Sequence, residues 1–169
     1  MIKMNNDYFM QKALELAEEA LARGEFPVGC VMVHQGKIVA SGARKGTIGD
    51  DRNELDHAET VALRRLIDLD APINHGDVTV FCTMEPCLMC YAALILAGIG
   101  QIVYAYEDVM GGGSTCDLSR LKPLYKKSPI TVIPDVMRLE SLKLFQTYFS
   151  NPANCYWKYI LLAEYTVAQ

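Results

Sequence analysis

The amino-acid sequence predicts an α/β fold, a three-layer α/β/α sandwich built on a five-stranded mixed sheet. Apolar strands alternate with helices through the middle of the chain, which is typical of parallel strand–helix–strand units with right-handed crossovers. The first two predicted strands are separated only by Gln35-Gly36, a weak hairpin signal. These two strands therefore pair antiparallel, which makes the sheet mixed, and helices cover both of its faces.

Each element follows from the hydrophobic pattern and from the residues at its ends. The first helix is predicted over 7–23, with Asp7 as N-cap, an apolar stripe, and Gly24 just after its end. Residues 44–56 are polar and aperiodic and are predicted to form a loop. The remaining predictions are strands at 28–34, 37–43, 77–82, 101–106 and 130–133, and helices at 57–69, 87–98, 136–150 and 153–165.

Length and composition bound the class of protein. A chain of 169 residues is long enough to bury a full core and is predicted to form one domain, residues 1–169. Its hydrophobic fraction of 51% is slightly high and its charged fraction of 21% slightly low, which predicts apolar surface left for a subunit interface, most simply in a homodimer. The net charge of −4 argues against broad, non-specific nucleic-acid binding.

The start of the chain, the length of its longest apolar run and its cysteines predict a cytoplasmic protein that is not embedded in a membrane. The start of the chain, 1–7, has no secretory signal, and the apolar run 88–99 is too short to cross a bilayer. Two of the six cysteines belong to the metal motif described next. The other four are expected to be reduced thiols, with a regulatory disulfide as the alternative: Cys30, Cys82, Cys116 and Cys155.

Two short motifs carry the chemistry: His57-Ala58-Glu59, and Pro86-Cys87-Leu88-Met89-Cys90. One imidazole and two thiolates make three ligands for Zn²⁺, and a catalytic zinc keeps its fourth position for water. Each motif opens a predicted helix, whose positive N-terminus favours thiolates and hydroxide. Glu59 lies two residues from His57, so its carboxylate can face the pocket without binding the metal.

Two other interpretations of the cysteine pair must be weighed. Cys87 and Cys90 could form a redox pair, or part of a structural zinc site. A structural site needs a fourth protein ligand, for which the candidates are Cys82, Cys30 and Cys116. The upstream His-x-Glu pattern, also at a helix start, favours the catalytic interpretation.

Together with Pro27-Val28-Gly29, the two motifs resemble the cytidine deaminase-like superfamily, whose signature is H-x-E followed by P-C-x-x-C. The similarity covers roughly residues 8–118 and is greatest to the branch of tRNA adenosine deaminases and guanine and cytosine deaminases. It implies a hydrolase of C–N bonds in cyclic amidines, with one zinc per chain. His57, Cys87 and Cys90 would bind the zinc, and Glu59 would carry protons to the ring nitrogen and the leaving amine.

The resemblance also implies substrate contacts. Val28 lies in the first matched segment, and the backbone carbonyl of Glu85 would lie near the departing ammonia. Asp108 falls where relatives often have an aspartate near the substrate entrance, although an ordinary turn carboxylate is an equal alternative. Relatives commonly end the second strand with an asparagine that binds the base. This chain has Ala43-Arg44 there, so either Arg44 or Asn53 substitutes, or both face solvent.

The C-terminal third bears on the choice of substrate. The tRNA enzymes of this branch tend to end in a basic helix, whereas residues 136–169 are rich in aromatic side chains. Such side chains can stack on bases, but more often they pack a terminal helix on the core or on a partner subunit. The prediction is therefore a small nucleobase or nucleoside as substrate. The alternatives are adenosine in a tRNA, bound through the cluster Arg120, Lys122, Lys126 and Lys127, and a catalytically silent zinc-stabilised subunit, against which the presence of Glu59 argues.

Overall fold

A five-stranded mixed sheet lies at the centre of the fold, as predicted. The structure is a computed structural model and describes residues 5–50 and 52–169. The strands are β1 (Gly29–His34), β2 (Lys37–Ala43), β3 (Val78–Met84), β4 (Gln101–Tyr106) and β5 (Thr131–Ile133). They are arranged in the order β2-β1-β3-β4-β5. β1 pairs antiparallel with both β2 and β3, whereas β3–β4 and β4–β5 are parallel.

Within the described residues, six α-helices and two short 3₁₀ turns connect and cover these strands. The 3₁₀ turns are His75–Asp77 and Leu118–Arg120. The first helix begins earlier than predicted, because Asn5 rather than Asp7 is its N-cap and accepts a hydrogen bond from the Tyr8 amide at 3.1 Å. The helices are α1 (Asn6–Ala22), α2 (Ala58–Ile67), α3 (Leu88–Leu96), α4 (Pro123–Lys126), α5 (Arg138–Ser150) and α6 (Leu161–Val167).

The two faces of the sheet carry separate layers of helices, which confirms the three-layer sandwich. Successive side chains of a strand point to opposite faces. Val31 and Val33 accordingly pack with Phe9 and Leu14 of α1, while Cys30, Met32 and their neighbours join the core under α2 and α3. α5 lies beside α1. Its Phe145 belongs to the same core cluster as Cys30 and Met32.

The arrangement of β3 and β4 positions the functional site. The carboxyl ends of parallel strands meet at one edge of a sheet, where ligands of open α/β sheets bind. Met84 pairs with Tyr106 at this edge, and the Glu85 amide donates to the Tyr106 carbonyl at 2.7 Å. The chain then runs directly from β3 into the cysteine motif, so the sheet register fixes where that motif lies.

The predicted helix at 153–165 is wrong over its first half. Asn154 turns back and donates its side-chain amide to the Tyr148 carbonyl at 2.9 Å, which caps the end of α5. Trp157 and Tyr159 then adopt positive φ angles of 54° and 66°, which an α-helix cannot contain. Only Leu161–Val167 is helical, because the aromatic side chains before it pack on Phe26 instead.

The loop predicted at 44–56 is irregular in its described residues, and Asp51 lies outside them. In the part of the chain that the structure describes, no helix is long and apolar enough to cross a bilayer. The most apolar helix, α3, has nine residues and at 1.5 Å per residue spans roughly 14 Å, about half of a hydrocarbon core.

Candidate active site

His57 and Glu59 lie at the start of α2, which packs closely against β2. His57 is the N-cap residue, and Glu59 lies in the first turn. A side chain at Gly42 of β2 would overlap the Ala58 carbonyl oxygen, so the glycine allows the helix start to approach the strand. This contact sets the position of His57 relative to the end of the sheet.

Cys87 and Cys90 lie at the start of α3, with Cys87 as N-cap. The glycine triplet 111–113 wraps around this start. The Gly113 amide donates to the Pro86 carbonyl at 2.9 Å, Gly112 pairs with Cys87 as an isolated β-bridge, and a side chain at Gly113 would overlap Leu88. The glycines therefore serve the close approach of two backbones at the cysteine motif.

The three predicted ligand side chains converge. The Nδ1 atom of His57 lies 3.6 Å from Sγ of Cys87 and 3.5 Å from Sγ of Cys90. Tetrahedral zinc with Zn–S of about 2.3 Å and Zn–N of about 2.0–2.1 Å separates nitrogen and sulfur by about 3.6 Å. The three side chains therefore fit one zinc ion.

The cluster leaves one zinc position free of protein ligands. Among residues 5–50 and 52–169, no fourth histidine, cysteine, aspartate or glutamate joins these three within ligand distance. A structural zinc is almost always closed by four protein ligands, whereas a catalytic zinc keeps one position open. The donor set is thus that of a catalytic site.

The electrostatics of the thiols suit a metal ligand. Hydrogen bonding from Cys90 and His57 lowers the pKa of Cys87 to about 4. The pKa of Cys90 is raised, because it shares a hydrogen bond with Cys87 and is buried. One thiolate thus exists at neutral pH before any metal binds, and a thiolate is the form that binds zinc.

Glu59 is buried beside this cluster, with 4% of its surface exposed. Burial raises the pKa of Glu59 to about 7, because desolvation disfavours the charged carboxylate. A carboxyl group with a pKa near the working pH can both accept and donate a proton.

A cavity of about 380 Å³ opens above His57 and Glu59. Its wall combines acidic groups, one guanidinium and several apolar or aromatic side chains. The lining residues are Phe26, Val28, Arg44, His57, Ala58, Glu59, Met84, Glu85, Cys87, Asp108, Tyr156 and Trp157.

Val28, Glu85 and Asp108, for which substrate contacts were predicted, all lie on the cavity wall, and the contacts themselves stay predictions. The Glu85 carboxylate also accepts hydrogen bonds from the amides of Asp108, at 3.1 Å, and Ser114, at 3.2 Å. Asp108 accepts from the Met110 and Gly111 amides at 3.0 and 2.9 Å. Asp108 thus combines both predicted interpretations, since it caps a turn and also lines the cavity.

Arg44 and Asn53 have different locations. Arg44 is 2% exposed and lines the cavity, so the alternative that it faces solvent is wrong. Asn53 is half-buried in the loop and is absent from the cavity wall that the structure describes. Its side-chain oxygen accepts from the Leu55 and Asp56 amides at 3.0 and 2.8 Å, so it shapes the loop.

Sequence reasoning missed four wall residues: Phe26, Met84, Tyr156 and Trp157. The aromatic content of the C-terminal region was the one sequence feature that pointed to a special role for Tyr156 and Trp157. Their position beside the metal motif was hidden because they lie about 70 residues further along the chain, in a segment predicted to be helical.

The other cysteines lie outside the three-ligand cluster and are free thiols in the structure. Cys30 and Cys82 are buried partners across β1 and β3, with sulfur atoms 3.7 Å apart. Cys116 and Cys155 are exposed.

Comparisons with known proteins agree with this geometry. Residues 3–106 match the family described as the cytidine and deoxycytidylate deaminase zinc-binding region. A tRNA-specific adenosine deaminase from Streptococcus pyogenes is 31% identical over 144 residues, which cover 84% of this chain and 88% of the relative. Among solved structures, a tRNA A34 deaminase aligns with a TM-score of 0.63 at 26% identity, covering 81% of this chain and 98% of its own.

A guanine deaminase from Nitrosomonas europaea has the same fold. Its TM-score is 0.65 at 20% identity, over 88% of this chain and 86% of its own. The family match spans both motifs of the site as far as Tyr106. The chain therefore belongs to the cytidine and deoxycytidylate deaminase zinc-binding family and is a zinc-type deaminase, a hydrolase that acts on C–N bonds.

Proposed function

We propose that this chain deaminates a purine or pyrimidine that enters the cavity as a free base or nucleoside. The exocyclic amine and one water are converted to a carbonyl oxygen and ammonia. The observation that carries the proposal is that Phe26, Tyr156 and Trp157 line the same cavity as His57 and Glu59, so that aromatic side chains face the metal cluster where a base would lie.

His57, Cys87 and Cys90 are the proposed zinc ligands, since their donor atoms have tetrahedral spacing. A zinc ion bound there supplies a Lewis acid that makes water a nucleophile near neutral pH. Glu59 is the proposed proton carrier. It takes a proton from the attacking water and delivers protons to the ring nitrogen and to the leaving amine. Its burial beside the ligands and its pKa of about 7 suit both directions of transfer.

The charges near the cavity favour a small, uncharged substrate over a polyanion. The wall carries the acidic side chains Glu59, Glu85 and Asp108. The guanidinium of Arg44 is already paired with Glu54 at 3.2 Å. The field at the mouth therefore offers little attraction to phosphate groups, which supply most of the affinity in nucleic-acid binding.

Adenosine in a tRNA is the second candidate, and the relatives named tRNA-specific adenosine deaminase favour it. The protein surface that would support it is the basic cluster Arg120, Lys122, Lys126 and Lys127, whose side chains are exposed. In the described part of the chain, none of these four residues lines the cavity.

Zinc-loaded protein should release ammonia from at least one amino-purine or amino-pyrimidine, or its nucleoside. The measurement is ammonia release across such a panel, run beside inosine formation in tRNA at about 150 mM salt, because each phosphate contact adds about 0.7–0.9 to the logarithmic salt slope. Charge reversal at Lys126 and Lys127 should leave turnover of the small substrate unchanged. Deamination of tRNA alone, weakened by those reversals, would instead establish the second candidate.

We also propose that the chain forms a homodimer through the exposed face of α3. This helix has no charged residue, yet Leu88, Met89 and Leu96 are 59%, 36% and 58% exposed. Large apolar side chains exposed along one helix favour an interface, and a C₂ dimer is the commonest assembly.

Leu96→Glu should convert the dimer to a monomer, because it places a charge in the apolar contact at the end of α3 remote from the cysteines. Light scattering at micromolar concentration measures the mass. Leu139→Glu is the matched control, since Leu139 is 63% exposed but lies on α5. A monomeric wild-type chain would contradict the proposal.

A further inference from the structure

One carboxylate oxygen joins the loop before α2 to the segment between α5 and α6. The Tyr156 hydroxyl donates to Oε2 of Glu54 at 2.8 Å, across 102 positions of sequence. The Arg44 guanidinium donates to the same oxygen at 3.2 Å and lies over the Tyr156 ring, 5.6 Å from its centroid. We call these three residues the Arg44–Glu54–Tyr156 latch.

Arg44 fixes the loop side of the latch. Its Nη2 donates to the Asn53 carbonyl at 2.9 Å, and its Nη1 donates to the carbonyls of Asp56, at 3.1 Å, and Lys45. A planar guanidinium can hold several carbonyls in one fixed geometry. The backbone on both sides of Glu54 is therefore held by Arg44, although 64% of the Glu54 side chain is exposed.

The other side of the latch is a strained aromatic segment. Trp157 and Tyr159 have positive φ angles, which are uncommon for bulky residues and persist only where the surroundings impose them. The Tyr156 and Trp157 rings stack with centroids 5.0 Å apart, and both contact Phe26. Burial raises the pKa of Tyr156, so its hydroxyl stays protonated and remains a donor.

Tyr156 and Trp157 separate two cavities. They line the inner cavity above the metal cluster and also an outer, open cavity of about 900 Å³. Of these two cavities in the described part of the chain, Glu54 lines the outer one, together with Thr47 and Arg52. A substituent on a ring bound in the inner cavity must pass this aromatic pair if it extends towards the outer cavity.

We infer that the Arg44–Glu54–Tyr156 latch determines substrate specificity by holding Tyr156 and Trp157 between the two cavities, so that a free base is preferred to its nucleoside. The inference rests on the proposed function and refines it. The ribose is admitted only when the bond between Tyr156 and Glu54 opens. Because Glu54 is on the solvent side, that opening breaks one hydrogen bond and leaves the core intact.

Tyr156→Phe removes the hydroxyl and keeps the ring, and Glu54→Gln removes the charge that Arg44 and Tyr156 share. The same Glu54 oxygen lies 3.7 Å from Nε2 of His57, so the zinc content of both variants is measured beside their kinetics. In each variant the ratio of kcat/KM for a nucleoside to kcat/KM for its free base should rise about threefold to tenfold, which corresponds to the loss of one hydrogen bond. The double variant should show no larger rise than Tyr156→Phe alone, because both substitutions weaken the same contact. Tyr159→Phe is the matched control, since Tyr159 lies in the same segment but is 82% exposed.

A second readout does not depend on turnover. Trp157 is the only tryptophan of the chain, so acrylamide quenching of its fluorescence measures how exposed the aromatic pair between the two cavities is to solvent. Quenching should increase in Tyr156→Phe and Glu54→Gln and stay at the wild-type level in Tyr159→Phe. Unchanged quenching, or increased quenching with an unchanged ratio, would overturn the inference. A wild-type chain that deaminates neither base nor nucleoside would contradict the proposed function instead, and quenching would still decide whether the latch holds the wall.

Discussion

Glu59→Gln should lower turnover by at least about 10²–10⁴-fold, the usual contribution of a positioned acid–base group. Glutamine is nearly isosteric with glutamate, and residue 59 lies outside the three-ligand cluster. The fold and the zinc content should therefore survive. The amide cannot accept a proton and return it at neutral pH, so only proton transfer is lost. Steady-state ammonia release, with zinc content and circular dichroism measured on the same sample, checks the prediction.

Glu25→Gln is the matched control for this substitution. Glu25 is also buried, but its carboxylate accepts from the amides of Gly46 and Thr47 and is not on the described cavity wall. The substitution should reduce stability, because it weakens the acceptor of two buried or part-buried amides. It should leave turnover within about tenfold of wild type, because Glu25 does not line the described cavity. A Glu59→Gln protein that retains turnover within tenfold would show that Glu59 is not the proton carrier.

Cys87→Ala should remove the zinc, and with it the activity. The open site has three protein ligands, so losing one leaves only His57 and Cys90. Metal affinity falls 10–100-fold even when an outer-shell partner is lost, so loss of a direct ligand should lower zinc from about one per chain to a small fraction. Elemental analysis after gel filtration measures the content, and thermal unfolding should move to lower temperature because zinc binding contributes to folding.

Cys116→Ala is the control for the thiol itself. Cys116 is a free, exposed cysteine outside the metal cluster, so its replacement should keep the zinc content and activity of wild type. A folded and active Cys87→Ala protein without metal would contradict the assignment of the zinc site.

The parts of the site that could be predicted from sequence are those set by local structure. His57 and Glu59 are separated by one residue at a helix start, and Cys87 and Cys90 by two at another. Such spacings fix the relative orientation of side chains within a single turn. The strand β3, which leads into the cysteine motif, was also predictable, since its residues have the apolar composition of a buried strand.

The cavity wall could not be predicted in the same way, because it depends on contacts between distant segments. Tyr156 contacts Glu54 across 102 positions of sequence, from an irregular segment after α5 that contains positive φ angles at Trp157 and Tyr159. No periodic pattern encodes such an irregular segment, and its aromatic residues are equally consistent with one face of a helix, as was predicted for 153–165. Arg44 was a candidate for a substrate contact because it follows the end of β2. The carbonyls that hold it come from a loop whose sequence has no hydrophobic periodicity, so its orientation could not be predicted.

The most direct test of the account is ammonia release from free bases and nucleosides by the zinc-loaded chain in ¹⁸O-labelled water. We predict ammonia and deaminated product in equal amounts, with one labelled oxygen in the product where the amine had been, and neither product from the Glu59→Gln protein. A product without the label, or no turnover of any small base or nucleoside, would contradict hydrolytic deamination of a small substrate at this site.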